Sequence, residues 1–370
     1  MMIKRVIISG GGTGGHIFPA IAIADELKKR YPKAEILFVG AEGRMEMEKV
    51  PLAGYPIVGL PISGLQRKIT FSNFLLPFKI VLSLLKARKI IRNFKPQLLI
   101  GVGGFASGPT LKMGNLLGIP TLLQEQNSYA GKTNKILGKK ASTICVAYEG
   151  MHLFFPSEKI ILTGNPVRKE IVNITVSKTE ALDFFKLDPS KKIVLVIGGS
   201  LGARAVNDAI LNDLVKWKSL EGRVQVLWQC GKLYYESLKS KVATGGTKNI
   251  FLSEFIQRMD LAYSAADLVI SRAGALSISE LCMMGKASIL VPSPNVAENH
   301  QMKNAMSLVV KNAAVMINDE DLTNNLFNQV ERLLGNDEER LKIETNCHLL
   351  AKPLATESII DECEKIVAKC

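Results

Sequence analysis

What the 370-residue chain lacks narrows its class. Its six cysteines (Cys145, Cys230, Cys282, Cys347, Cys363 and Cys370) include no C-x-x-C pair. That pattern speaks against a disulfide or zinc scaffold and for a reduced compartment. No apolar run reads as a membrane span. The longest uncharged stretch, Val50–Gln66, holds Pro51, Pro56 and Pro61 and is expected not to be a helix. The next, Pro96–Leu111, is glycine-rich and reads as strand plus loop. The first apolar run, Val6–Ile8, is a strand's length and lacks the apolar core of a cleaved signal. Acidic residues are missing altogether between Glu48 and Glu125.

That last absence unbalances the charge. Residues 1–165 carry 22 Lys+Arg against 9 Asp+Glu, whereas the remainder carries 25 of each, so the net +13 lies wholly in the first part. Such asymmetry implies an anionic partner for an N-terminal domain, nucleic acid or an anionic membrane surface, unless it is merely a solvated basic face.

What is present begins with a repeat. Lys4–Ile8 leads into Ser9-Gly10-Gly11-Gly12-Thr13-Gly14-Gly15-His16, and Lys192–Ile197 leads into Gly198-Gly199-Ser200-Leu201-Gly202. Each reads as a buried parallel strand, a tight glycine turn and a helix, Pro19–Arg30 in the first case and Ala203–Lys216 in the second. Such turns aim N–H groups and a helix dipole at an anion. Two of them predict an α/β chain of two Rossmann-like domains with parallel sheets facing a central cleft. Further strands are expected at Glu35–Val39, Leu98–Val102, Thr121–Gln124, Thr143–Val146 and Lys159–Leu162. In the second half they are expected near Val224–Trp228, Ile250–Leu252, Leu268–Ser271 and Ser288–Val291. Pro166 breaks the chain, which places an N-terminal domain at 1–165 and a C-terminal one at 166–349. A terminal helix at about 350–370 is expected to cross back onto the first.

The segment Ser72–Phe94 discriminates between the anionic partners. It reads as a helix with a core stripe of Ile80, Leu84, Ala87, Ile91 and Phe94. A second apolar set, Phe74, Phe78, Leu82 and Leu85, is interleaved with Lys79, Lys86, Lys89 and Arg92. An apolar strip edged by cations suits an anionic bilayer interface, whereas nucleic acid would favour polar and stacking residues. The alternative is a neighbouring helix that covers the strip.

Gly10-x-Gly12-x-x-Gly15 formally satisfies a dinucleotide fingerprint, with Glu42 after the next strand. Against a nicotinamide enzyme stand the second glycine turn and His16 directly after the first. A helix N-terminus disfavours imidazolium, so His16 is a candidate general base, the alternative being local packing or capping. Ala273-Gly274-Ala275-Leu276-Ser277-Ile278-Ser279-Glu280 follows a strand and opens a helix. Its small residues let N–H groups approach a diphosphate, and Glu280 can accept from a ribose diol or simply complement the dipole. Gln301, in Asn299-His300-Gln301-x-x-Asn304-Ala305, is a candidate sugar reader. Asp319-Glu320-Asp321 reads as a solvated helix cap, and no metal site is visible.

Together these motifs resemble the bacterial UDP-N-acetylglucosamine:N-acetylmuramyl-(pentapeptide) pyrophosphoryl-undecaprenol N-acetylglucosamine transferases. The carriers are Gly11–His16, Gly101-x-Gly103-Gly104-x-x-Ser107-Gly108-Pro109, Glu125-Gln126-Asn127, Gly164-Asn165-Pro166-Val167-Arg168, Gly198–Ala203, Ala273–Glu280 and Gln301-x-x-Asn304-Ala305. The resemblance implies the GT-B fold and inverting transfer of N-acetylglucosamine from UDP-N-acetylglucosamine to the C4 hydroxyl of the muramyl sugar of lipid I. The product is lipid II, in peptidoglycan synthesis, and no cofactor is needed. It implies donor contacts from Arg168, Ser200, Ile256, Ala275, Leu276, Ser277, Ile278, Ser279, Glu280 and Gln301. Thr13, Gly14, Gly15 and Asn127 would border the sugar and acceptor. It further implies peripheral attachment to the cytoplasmic face of the plasma membrane, other cell-wall synthesis proteins as partners, and no nucleic acid. The family often has Tyr at the position of Phe105 and His at that of Gln124. Rival readings are another UDP-sugar enzyme of this fold, such as a glycolipid transferase or a UDP-N-acetylglucosamine 2-epimerase, a nicotinamide oxidoreductase, and a non-enzymatic binder.

Overall fold

A computed structural model of the chain describes residues 2–63, 76–172, 174–199 and 201–369. Two of the predicted site residues, Phe74 and Ser200, lie outside them. The chain divides into two compact units, Met1–Arg168 with Lys352–Cys370, and Lys169–Ala351.

The first unit is built on seven strands: β1 (Arg5–Ser9), β2 (Glu35–Ala41), β3 (Ile57–Leu60), β4 (Leu98–Gly101), β5 (Thr121–Glu125), β6 (Thr143–Val146) and β7 (Ile160–Leu162). They pair in the order β3-β2-β1-β4-β5-β6-β7, parallel throughout. Period-two alternation sends Val6, Ile8, Leu98 and Ile100 to one face and Ile7 and Leu99 to the other. Both faces are buried, which is why these strands read as continuous apolar runs and not as alternating ones. Helix Gly14–Arg30 and terminal helix Ala355–Ala368 cover one face. The other receives Ile91 of helix Leu76–Phe94 and Leu111 of helix Ser107–Leu116.

The second unit repeats the plan with β8 (Lys192–Ile197), β9 (Val224–Gln229), β10 (Ile250–Ser253), β11 (Leu268–Arg272), β12 (Ser288–Val291) and β13 (Val315–Met316). Their order is β10-β9-β8-β11-β12-β13, again all parallel. Counted within the unit this is 3-2-1-4-5-6, the doubly wound nucleotide-binding order. In each unit the strand order reverses beside the first strand, between β1 and β4 and between β8 and β11. The crevice for a ligand opens there, beyond the carboxyl ends of the strands. All four loops that follow these strands carry glycine: Gly10–Gly15, Gly103-Gly104, Gly198–Gly202 and Gly274.

Several expectations need correction. The first helix starts at Gly14, not Pro19, and holds Pro19 inside it, forgoing one backbone hydrogen bond. The predicted helix Ala203–Lys216 is two helices, Arg204–Asn212 and Leu214–Ser219, joined at Asp213. The proline-rich stretch from Val50 is not wholly non-helical: its first residues finish helix Glu46–Leu52, and Ile57–Leu60 forms β3. On helix Leu76–Phe94 the buried stripe is Ser83, Ala87 and Ile91, while Ile80, assigned to the core, is exposed.

Candidate active site

In the first unit the glycine loops after β1 and β4 stack on one another. Gly104, at φ +85°, lies so close to Gly11 that a Cβ there would stand 2.3 Å from the Gly11 carbonyl oxygen. His16, in the first turn of helix Gly14–Arg30, is half-buried between them. Its Nδ1 is 3.2 Å from Thr13 Oγ1. Its Cδ2–Nε2 edge faces Gly103, where a Cβ would come within 2.9 Å of both atoms. Thr13 and Gly15 are exposed beside it, and Gly14 is partly covered.

The anion-binding potential of this loop is already used. Glu46, 1% exposed, accepts from the N–H of Gly12 (2.8 Å) and of Ala41 (3.0 Å). The chain's own carboxylate therefore occupies the place where a dinucleotide pyrophosphate would bind. Glu42, the residue a ribose would need under the nicotinamide reading, instead pairs with Lys86 at 2.7 Å. The buried Glu46 carboxylate stands against that reading, since it would repel a pyrophosphate at the same loop.

Behind His16 lies a buried polar cluster from the end of β5. Glu125 accepts from Asn127 (N–H, 3.1 Å; Nδ2, 3.3 Å), from Gly131 N–H (3.0 Å) and from Asn134 Nδ2 (2.9 Å). Burial nevertheless pushes its carboxyl above the ordinary carboxylate range, the donors from Asn127, Asn134 and Gly131 opposing the shift. Asn127 is half-buried and holds this loop. Gln124, where the family often has His, belongs to the same cluster. It is fully buried, donates to Asn165 Oδ1 at 3.0 Å and accepts from Gln126 Nε2. Its strand side chain points into the amide network under the loops. Phe105, by contrast, is exposed next to Gly12. Arg168, half-buried, ends the first unit's long chain segment.

The second unit opens a cavity of about 590 Å³ at its switch point. Gly198, Gly199 and Gly202 line it from the β8 side, Gly274 and Ser277 from the β11 side, and Gln301 from helix His300–Val309. Two helices begin at it, Arg204–Asn212 and Ala275–Met284, and neither has an acidic residue in its first turn. Their dipoles are left for an external anion. Gly202, at φ +79°, passes the Cys230 carbonyl so closely that a Cβ would come within 1.9 Å of its oxygen.

The predicted donor residues divide between lining and support. Ser277 and Gln301 line the cavity, and Gln301 Oε1 accepts from Ser293 N–H at 2.8 Å. Glu280 stands one turn beyond Ser277 on the same helix face, 5% exposed, and accepts from Tyr263 Oη at 3.0 Å. Ala275 and Ile278 are buried, and Leu276 and Ser279 are partly so. Ser279 Oγ is bonded back to Ala275 O at 3.0 Å. Ile256 is buried, and its N–H donates to Gln229 Oε1 at 2.8 Å, while Gln229 Nε2 holds Gly199 O at 3.1 Å. Asp319 is not a solvated cap. It lines the cavity and pairs with Arg272, which also donates to Val291 O at 3.2 Å. Arg272, Asp319, Gln229 and Glu46 carried no role in the sequence. Each acts through a partner 25 or more positions away. Among the described residues no group of His, Cys, Asp and Glu is arranged to hold a metal ion.

The exposed strip of helix Leu76–Phe94 is present. Phe78 is 73% exposed, and Leu82 and Leu85 about half, with Val81 beside them. Lys89 and Arg92 are exposed, Lys79 Nζ reaches Ser63 Oγ at 3.4 Å, and Lys86 is the partner of Glu42. No described helix is long and apolar enough to cross a membrane.

Residues 6–146 match the glycosyltransferase family 28 N-terminal domain and residues 193–358 the glycosyltransferase family 28 C-terminal domain. The chain is 56% identical over 365 residues to the UDP-N-acetylglucosamine--N-acetylmuramyl-(pentapeptide) pyrophosphoryl-undecaprenol N-acetylglucosamine transferase of Parabacteroides distasonis, covering 99% of both chains. It is 53% identical over 363 residues to the enzyme of that name from Flavobacterium psychrophilum, covering 98% of each. Among solved structures it is similar to Acinetobacter baumannii MurG, with a TM-score of 0.78, 30% identity, and 98% and 99% of the two chains covered. The UDP-GlcNAc 2-epimerase of Neisseria meningitidis shares the fold at a TM-score of 0.67 and 15% identity, with 98% and 100% covered.

Proposed function

The chain belongs to glycosyltransferase family 28, and on that premise we propose how its residues carry the reaction. It is an N-acetylglucosaminyltransferase that uses UDP-N-acetylglucosamine and lipid I and forms lipid II in peptidoglycan synthesis. In the mechanism we infer, the C4 hydroxyl of the muramyl sugar attacks the anomeric carbon of the donor. The C1–O bond to UDP breaks on the opposite face, and a β1–4 link forms. The observation that carries the donor assignment is the second-unit cavity, with two helix N-termini that their own first turns leave unneutralised. They stabilise the charge that develops on the leaving diphosphate, and Arg168 is the cation assigned to it. The reading needs no metal, because these groups supply the positive charge a cation would bring.

His16 takes the proton from the attacking hydroxyl. The mechanism assigns Thr13 Oγ1 as the acceptor of Nδ1–H across their 3.2 Å contact, which leaves the lone pair on Nε2 as the base. The N–H of Ile256 is committed to Gln229, so reading of the base falls to its carbonyl. Gln301, held through Oε1, presents its amide N–H₂ to a sugar hydroxyl. Glu280 takes the ribose diol. The exposed Phe78, Leu82 and Leu85 with neighbouring Lys and Arg seat the enzyme on the anionic cytoplasmic face of the membrane, where lipid I is found.

The test is incubation with labelled UDP-N-acetylglucosamine and a short-chain lipid I analogue, with and without EDTA. Labelled disaccharide lipid in both is the expected product. UDP binding without disaccharide would overturn the acceptor and favour an epimerase-type reaction. Activity lost to EDTA and restored by a divalent cation would overturn the metal-free reading.

A further inference from the structure

The carboxylate assigned to the ribose is held from behind. Tyr263, completely buried in helix Met259–Ala265, donates from its hydroxyl to Glu280 Oε2 at 3.0 Å. A buried phenol hydroxyl usually finds a partner, but most find a backbone carbonyl or water. This one meets a carboxylate that is itself 5% exposed and stands one helical turn beyond Ser277, which lines the cavity. A carboxylate offers about four acceptor sites on two oxygens. The hydrogen bond from Tyr263 to Oε2 helps to set the plane of the group. Recognition of a vicinal diol depends on that plane, since both hydroxyls must find lone pairs together, within about 10–20° of the productive orientation. Helix Met259–Ala265 also starts three residues after Ile256, the residue assigned to the base. One short segment thus supports the reading of both base and ribose.

We propose that Tyr263 is a positioning residue for nucleoside recognition: its hydroxyl orients Glu280 and thereby sets the enzyme's preference for a ribonucleotide donor over its 2′-deoxy counterpart. The inference rests on the assignment of Glu280 to the ribose. Tyr263 itself touches no part of the donor.

The test compares UDP with 2′-deoxy-UDP by titration calorimetry on the full chain, in wild type, Tyr263→Phe, Glu280→Ala and the double variant. In Tyr263→Phe the affinity for UDP should fall about five- to tenfold, while that for 2′-deoxy-UDP falls less, so the preference narrows. KM for UDP-N-acetylglucosamine should rise by a similar factor with kcat within about twofold of wild type. In the Glu280→Ala background, Tyr263→Phe should cost no further UDP affinity, a coupling that mere loosening of the core would not give. Wild-type affinity and preference in Tyr263→Phe would overturn the proposal, as would additive losses in the double variant. Unchanged preference in Glu280→Ala would instead overturn the ribose assignment. If Tyr263→Phe does not fold, wild-type protein labelled with ¹³C at tyrosine Cζ decides the matter. The one tyrosine resonance displaced in Glu280→Ala should also move when UDP binds. A resonance displaced in the variant but indifferent to UDP would overturn the proposal.

Discussion

The imidazole of His16 has room because residue 103 has no side chain. A Cβ at Gly103 would press on Cδ2 and Nε2, and the backbone there is at φ +91°, which L side chains rarely adopt. Gly103→Ala should therefore displace the proposed base and lower kcat more than tenfold while UDP affinity stays at wild type, since the donor cavity is in the other unit. His16→Ala should lower kcat by about 10²–10⁴ with little change in donor KM. Near-normal kcat would remove His16 from the role. Glu125 gives a pH signature. Its folded pKa is raised by burial, so the native state binds this proton more tightly than the unfolded chain does. Its contribution to stability is greatest below the ordinary carboxylate value of 4.5 and is lost as pH rises through the raised value. Glu125→Gln should remove that component from a plot of Tm against pH. At neutral pH it should cost about 1–3 kcal/mol, because one carboxylate oxygen becomes an N–H₂ group, and either the two Asn127 donors or Gly131 N–H and Asn134 Nδ2 lose their acceptor. Residues whose neighbours are local, such as His16 on its glycine turn, are legible in the sequence. Glu46 is not, because nothing near it says that its carboxylate will fill the first glycine loop. Asp319 was misread because a run of three acidic residues looks solvated until Arg272 is brought to it from 47 positions away.

Among the elements, helix Leu76–Phe94 is over-provided with apolar surface. Ile91, with Ile90 and Phe94, packs it on the sheet's core, and Phe78, Val81, Leu82 and Leu85 face solvent on top of that. Each large side chain moved from water into a bilayer interface is worth about 1.5–3 kcal/mol. Phe78→Ser with Leu82→Ser should thus weaken co-sedimentation with anionic vesicles at least tenfold while leaving turnover of a water-soluble acceptor analogue intact. Unchanged sedimentation would show that the strip serves another purpose. Strands were the most legible elements, since a parallel strand buried on both faces is an unbroken run of Val, Ile and Leu. The two that were missed are the exceptions to that rule. β3 is four residues with a glycine among them, following a proline, and β13 is two. The start of the first helix was misplaced because Pro19 suits a first helical position, whereas here it sits inside.

In the whole molecule the charge is partitioned by unit. The first unit, including its returning segment, holds the entire excess of +13, and the second is balanced. Vesicle binding should accordingly weaken as salt rises, which co-sedimentation across a salt series would measure, while donor affinity responds less. The returning segment is also a large part of the first unit's core. Ile359, Ile360, Cys363, Ile366 and Val367 are buried against Ile23 and Leu27, and Arg30 holds Asp361 at 2.5 Å and Glu364 at 3.2 Å. Together these side chains contribute on the order of 10 kcal/mol, comparable to the whole stability of a typical domain. Deleting residues 352–370 should leave the first unit unfolded by circular dichroism or collapse its Tm. The same arrangement sets an order of events during synthesis. The first unit's sheet leaves the ribosome early but cannot close its core until the last helix emerges, after the entire second unit has been made. For that interval a nascent chain leaves uncovered the apolar surface that later receives Ile359 and Ile360.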